Sequence, residues 1–225
     1  MKKLFTLLPM LCLAATTFHA QDKCSKFYPF VEGAIFTHTL YDQDGTAQGK
    51  VTYEVDQVTG NSGRYTYSMS MGGTVISSSQ YTITCTDDGV SMDLSSMRGG
   101  MLSRFANAET NISGTNLYIP NDLSEASVLP DATMELTMSG APSGMNMSMR
   151  MTHRKVVGTE FLTDPNGVSR KCFILTYDTI MNRGTSSSSH TKQWLTEGIG
   201  LMKTEEYDRD GGTLRGKTVL TSYQL

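Results

Sequence analysis

The chain has 225 residues, with 19 Lys and Arg against 22 Asp and Glu, a net charge of −3 and a mean hydropathy of −0.26. That balance argues against a nucleic-acid-binding stripe or a polybasic patch for anionic lipid. Beyond the first twenty residues no apolar run is long enough to span a bilayer as a helix.

Residues 1–20 carry Lys2 and Lys3, an apolar run over 4–15, and "TFHA" before Gln21, the pattern of a removable signal peptide. Cys12 follows Leu11 and Cys24 follows Lys23, so neither has the small neighbour that a lipid-attachment signal wants. The expectation is a signal peptide over 1–20 and a single β-rich domain over 21–225. The mature protein is then exported to the periplasm or beyond, without a lipid anchor. Cleavage leaves 17 basic and 22 acidic side chains, a net charge of −5. Three cysteines remain, Cys24, Cys85 and Cys172; one pair can close in an oxidising compartment, and the sequence does not say which.

The first alternating run is "GKVTYEVDQV", with Val51, Tyr53 and Val55 on one face and Thr52, Glu54 and Asp56 on the other. "RYTYSMSM" repeats it with Tyr65, Tyr67, Met69 and Met71, and "TVISSSQYTITC" ends in Tyr81, Ile83 and Cys85. A period of two with abundant Thr, Val and Tyr predicts half-buried antiparallel strands. Turn signals separate them at 59–63, 72–73, 87–89, 139–144 and 164–167. Residues 94–107, "LSSMRGGMLSRFAN", read as irregular or helical, and 120–132 as a second irregular connection. About ten strands result by this rule, and the fold class is all-β. "YDQDGTAQGKV" at 41–51 returns as "YDRDGGTLRGKTV" at 207–219. The twelfth position counted from Asp42 is Tyr53, and from Asp208 it is Val219, so neither phrase supplies the acid that an EF-type calcium loop needs. Asp-Gly between alternating runs predicts two hairpins instead.

Chemistry-bearing motifs are few. His38, His153 and His190 lie far apart without metal-ligand spacing. "SHTK", Ser189 to Lys192, matches S-x-x-K by letter but sits in a serine run beside a strand, without partner motifs. Glu205 and Glu206 point to opposite faces if their segment is a strand. No catalytic constellation and no cofactor site follow, so the chain is not read as an enzyme. A histidine joined to a carboxylate in a cleft would reopen that reading.

Methionine is the unusual residue, fifteen in all. "MNMSMRM" sets Met145, Met147, Met149 and Met151 on one strand face, Met69 and Met71 repeat the pattern, and Met134 and Met138 flank the preceding strand. A strip of flexible thioethers suits a filled core, or a cavity that adapts to apolar guests. Thioethers also take soft ions such as Cu(I). These six methionines, 69, 71, 145, 147, 149 and 151, are the candidate ligand-binding residues.

"FYPFVEGAIFTHTLYDQDGTAQGKVTYEV", "RKVVGTEFLTDPNG" with Cys172, and "WLTEGIGLMKTEEYDRDGGTLRGKTVLTSY" resemble the TapB-like family of exported Bacteroidota proteins, itself similar to a bacterial domain family of unknown function. The likeness covers most of the mature chain, and the Trp block before the last hairpin is its most specific part. Where the family writes "PAG", this chain has "DPNG". The resemblance implies an open or half β-barrel of the LolA and LolB carrier kind, a curved sheet around an apolar pocket. It implies no catalytic residues. In that setting the triplet Asp178-Thr179-Ile180 resembles a Bacteroidota O-glycosylation acceptor at Thr179. The functional expectation is a non-enzymatic envelope protein binding a lipid or other hydrophobic ligand in an apolar groove. A structural or protein-interaction module with a filled core, and a Met-rich copper-binding protein, are the alternatives.

Overall fold

The computed structural model describes residues 24–99, 109–139 and 146–225; the signal-peptide expectation and Met145 lie outside them. Thirteen strands follow one another: β1 (Ile35–Asp42), β2 (Ala47–Thr59), β3 (Ser62–Met71), β4 (Thr74–Cys85), β5 (Gly89–Gly99), β6 (Glu109–Thr115), β7 (Leu117–Pro120), β8 (Ala132–Ser139), β9 (Met147–Thr163), β10 (Ser169–Arg183), β11 (Thr185–Thr196), β12 (Gly200–Tyr207) and β13 (Leu214–Gln224). All belong to one sheet in the order β6-β8-β9-β10-β11-β12-β13-β1-β2-β3-β4-β5-β7, and every pairing is antiparallel. The sheet nearly closes into a barrel. β5 and β7 approach β6 and β8 there without a shared ladder, which leaves one unsealed seam. No helix among the described residues is long and apolar enough to cross a membrane.

The period of two puts the expected apolar residues inside. Val51, Val55, Tyr65, Tyr81, Ile83 and Cys85 are all buried, and register stacks them in rows such as Val55, Tyr65 and Tyr81 across three strands. The repeated phrase forms two neighbouring hairpins at one barrel end, because β13 pairs with β1 and brings Asp42 opposite Gly216. In each, the first aspartate organises the turn. Asp42 Oδ1 accepts from the N–H groups of Asp44 and Thr46, and Asp208 Oδ1 from that of Gly212. Gly45 and Gly211 take the positive φ of 80° and 71° that the turns require. Asp164 repeats the device in the β9–β10 turn, accepting from the N–H groups of Asn166 and Val168. Asp164 of "DPNG" is thus a turn-forming aspartate.

Residues 94–99 are not a separate irregular or helical segment but continue β5; 100–107 fall outside the described residues. The irregularity is a bulge. Pairing steps from Thr82↔Asp93 to Gln80↔Arg98, and the Ser96 hydroxyl takes over the N–H of Thr82 within it. The strand count also exceeds the ten expected, since short β6 and β7 carry little alternation.

The end opposite the repeated hairpins is stoppered by residues 24–34. Phe27 is almost fully buried and meets Phe173 edge to face, and Phe30 does the same with Tyr65. Backbone bonds from Gly198 to the Lys26 carbonyl and from Gly33 to that of Val55 hold the segment in place. Asn121 adds a side-chain bond to the Cys24 carbonyl. A disulfide joins Cys24 to Cys85 across 61 positions, and Cys172 is the free, buried thiol. Closing a loop of that length stabilises the fold by about 4 kcal/mol through the unfolded chain. Replacing Cys24 and Cys85 together by Ser is expected to lower the urea unfolding free energy by about that amount. A loss below about 1 kcal/mol would show that the stopper is held by its packing alone.

Candidate functional site

Above the stopper lies a cavity of about 300 Å³ in the barrel interior. Six tyrosines dominate its wall: Tyr28, Tyr53, Tyr65, Tyr67, Tyr81 and Tyr177. Tyr28 comes from the stopper, and the other five come from β2, β3, β4 and β10, where strand alternation points them inward. Tyr65 and Tyr81 stack with ring centres 5.6 Å apart, and Tyr53 meets both His38 and Tyr67 edge-on at 5.5 Å. Aliphatic Leu94, Ile119, Leu175, Ile199 and Leu201 complete most of the lining. Burial pushes the Tyr28 phenol up to about 12, with Arg154 pulling the other way, and burial drives those of Tyr53, Tyr65 and Tyr177 higher. The phenols therefore stay neutral under all ordinary conditions.

A bulge in β9 delivers a buried charge to this wall. His153 has a φ of 55°, and the pairing of β9 with β10 skips from Thr152↔Asp178 to Lys155↔Thr176. His153 and Arg154 thus stand opposite Tyr177 alone, His153 turns outward, and Arg154 turns in. Arg154 is 4% exposed. Its Nη1 donates to the Pro130 carbonyl at 2.5 Å and its Nη2 to the Tyr118 carbonyl at 3.0 Å. Since Tyr118 belongs to edge strand β7, this side chain ties β9 across the seam. Desolvation lowers its proton affinity, while Tyr177, Tyr28 and Asp131 work against that. No carboxylate among the described residues forms an ion pair with it.

His38, 2% exposed, supplies the second polar element. Its Nε2 lies 2.8 Å from the Leu201 carbonyl, which can only accept, so Nε2 carries the hydrogen. Nδ1 is then an acceptor, and it is buried without a partner among the described residues. Desolvation lowers the pKa of the ring, with the Leu201 bond opposing in part, which favours the neutral form.

A second, polar cavity of about 310 Å³ adjoins the first at Tyr177 and opens toward the repeated hairpins. Thr179, Met181, Ser187, Ser189, Glu206 and Arg215 line it. Ser189 of the S-x-x-K letters is thus a wall residue among other hydroxyls. Glu206 faces this interior, whereas Glu205 pairs with Lys203 and Tyr207. Thr179, the glycosylation candidate, is paired mid-strand between Met151 and Ser189.

The candidate methionines are spread out. Met151 lines the tyrosine cavity. Met147 and Met149 are half-buried further along β9, Met69 is half-buried on β3, and Met71 is 45% exposed at its end. Met134, Met149 and Met181 stand opposite one another in a single row across β8, β9 and β10.

Two of the three histidines, His153 and His190, do come together, contrary to their spacing in sequence, while His38 stays in the cavity wall. Strand register sets His190 opposite Asp178 and the β9 bulge swings His153 over it. The two Nδ1 atoms lie 2.7 and 2.9 Å from the Asp178 oxygens. Burial raises the Asp178 carboxyl, but hydrogen bonds from His190 and His153 outweigh it and hold the pKa below the usual range. The His153 side chain is 79% exposed, and none of the three lines the tyrosine cavity. Among the described residues no group of three or more His, Cys, Asp or Glu could hold a metal ion.

Sequence reasoning missed Arg154, His38, Tyr28 and Tyr177. A basic residue in "HRK" reads as solvated, and nothing in the letters marks the bulge. The one available signal was the row of inward tyrosines on three successive strands.

Fold and site together define an all-β barrel, nearly closed, with an aromatic cavity in its interior. The chain belongs to the DUF3108-like family, whose model matches residues 31–220. A predicted exported protein with a YmcC-like fold from Bacteroides fragilis superposes with a TM-score of 0.71 at 21% identity, covering 90% of this chain and all of its own. A predicted lipoprotein from Parabacteroides distasonis gives 0.70 at 20% identity, covering 89% and 99%. At these identities the likeness is one of fold. No curated protein sequence matches the chain.

The neutral state of His38 has a pH consequence. A histidine with a lowered folded pKa contributes fully above the unfolded value of about 6.5 and loses that contribution as pH falls below it. Between pH 7 and pH 5, by urea titration, the wild type should therefore lose more unfolding free energy than His38→Gln does. Parallel loss in the two proteins would show that the His38 pKa is not lowered by folding.

Proposed function

We propose that the protein is exported and non-enzymatic, and binds a small hydrophobic ligand inside its barrel. The observation that carries this reading is the tyrosine cavity: about 300 Å³ of space, walled by aromatic and aliphatic side chains. That volume is at the lower end of the range for small-molecule sites, about 300–1,000 Å³. It suits one acyl chain or one compact apolar guest. The resemblance to TapB-like proteins and to LolA and LolB carriers, whose curved sheets wrap apolar pockets, supports the same reading at the level of fold. The short apolar run behind Lys2 and Lys3 supports export, and the two structural neighbours carry export-related descriptions. A soluble rather than lipid-anchored mature form fits Cys24, whose sulfur is engaged with Cys85.

Copper(I) binding is the second reading, and one observation favours it. The thioethers of Met134, Met149 and Met181 belong to directly paired residues in one cross-strand row, the spacing at which neighbouring side chains meet.

Titration of the mature protein with the neutral fluorophore N-phenyl-1-naphthylamine is expected to show one saturable site per chain. Met151→Trp, which projects a ring into the cavity, should weaken that site by about tenfold or more while leaving a folded barrel. Met147→Ala should leave it nearly unchanged, because Met147 does not line the cavity. Absence of saturable binding in the wild type would reject the cavity reading. Tight Cu(I) uptake that is lost in Met149→Ala would replace it with the metal reading.

A further inference from the structure

The charge inside the cavity narrows what it can hold. Among the described residues the wall holds three basic side chains, Arg154, the exposed Lys155 and His38, whose burial favours the neutral form, and no Asp or Glu. A guanidinium taken out of water without an anion is costly, by several kcal/mol in real proteins. Two of its five N–H groups are used on the carbonyls of Pro130 and Tyr118, and the other three have no hydrogen-bond partner among the described residues. The seam contacts do not account for the charge, since a neutral amide could bond two carbonyls as well.

We propose that the cavity takes an anionic amphiphile, a single acyl chain or similar apolar body ending in a carboxylate or phosphate, with its oxyanion on Arg154 and its apolar part among the tyrosines. This rests on the hydrophobic-ligand reading and adds the head-group chemistry to it. An oxyanion matches the guanidinium in charge and can accept two of its N–H groups in parallel. Neutral phenols nearby can donate to the same oxygens. His38 Nδ1 is an acceptor, so it repels an oxyanion and leaves the head to Arg154, the buried cation of the wall among the described residues. It suits instead a hydroxyl carried elsewhere on the guest.

The experiment is displacement of N-phenyl-1-naphthylamine from the full mature chain by four probes of equal length: dodecanoate, monododecyl phosphate, dodecanol and dodecylammonium. At neutral pH the better of the two anions should displace the fluorophore at about tenfold lower concentration than dodecanol, the size of a charge-assisted hydrogen bond. Dodecylammonium should be the weakest. Which anion is tighter distinguishes a free fatty acid from a phosphate head group. In Arg154→Gln, which keeps amide donors for the two carbonyls, the preference for the anion should vanish while dodecanol affinity is retained. Equal displacement by anions and dodecanol in the wild type would overturn the head-group assignment and leave the cavity reading standing. An anion preference that persists in folded Arg154→Gln would overturn it too. Failure of the fluorophore and of all four probes would reject both readings. The wild-type ranking decides the matter even if Arg154→Gln does not fold.

Discussion

A sheet of thirteen strands encloses more space than the side chains on its inner face can fill. About eight strands give a barrel whose interior side chains just meet, or leave room for one small guest, and each added strand widens it. Here alternation turns every second side chain inward, apolar for the most part around the tyrosine cavity and polar around the second one, and that interior has to be occupied by something. Much of the architecture answers this constraint. The stopper around Phe27 plugs one end, the 121–131 connection buries Leu123 and Leu129, and the largest inward side chains are tyrosines. What they leave unfilled is the cavity.

The same constraint explains where the polar groups are. A sheet that does not quite close exposes two edges, and edges are a hazard unless tied or covered. The seam lies between β5–β7 and β6–β8, and Arg154 spans it by donating to the carbonyl of Tyr118 on edge strand β7. To do so it must leave the alternation, which the bulge at His153 permits at the cost of a left-handed residue. The bulge has two results at once. It turns an arginine into the cavity, and it places His153 beside Asp178 and His190 on the outer wall. The disulfide from Cys24 to Cys85 then fixes the stopper to β4, the strand that supplies Tyr81 to the cavity.

Much of this was legible in the letters. Val51, Tyr53 and Val55, then Tyr65 and Tyr67, then Tyr81 and Ile83 announce three strands and their inward faces, because a period of two survives any register that keeps one face buried. The twin D-x-D-G phrases announce their turns, because the local chemistry of Asp and Gly decides them without the rest of the fold. Three things were not legible. Which cysteines pair depends on where the stopper docks. Closure into a barrel depends on β13 meeting β1, a contact between chain ends. The buried charge depends on a bulge that resets the period between Met151 and Arg154, and of the methionine strip at 145–151 only Met151, among the residues described, lines the cavity.

The central claim is that the interior is hollow and apolar, and a crystal structure determined under xenon pressure tests it most directly. Xenon enters dry apolar cavities and is visible as isolated strong density. The account predicts xenon between the rings of Tyr53 and Tyr81 and the side chain of Leu175, with the tyrosines in place. An interior without xenon, filled by repacked rings or by a chain of hydrogen-bonded water, would contradict it.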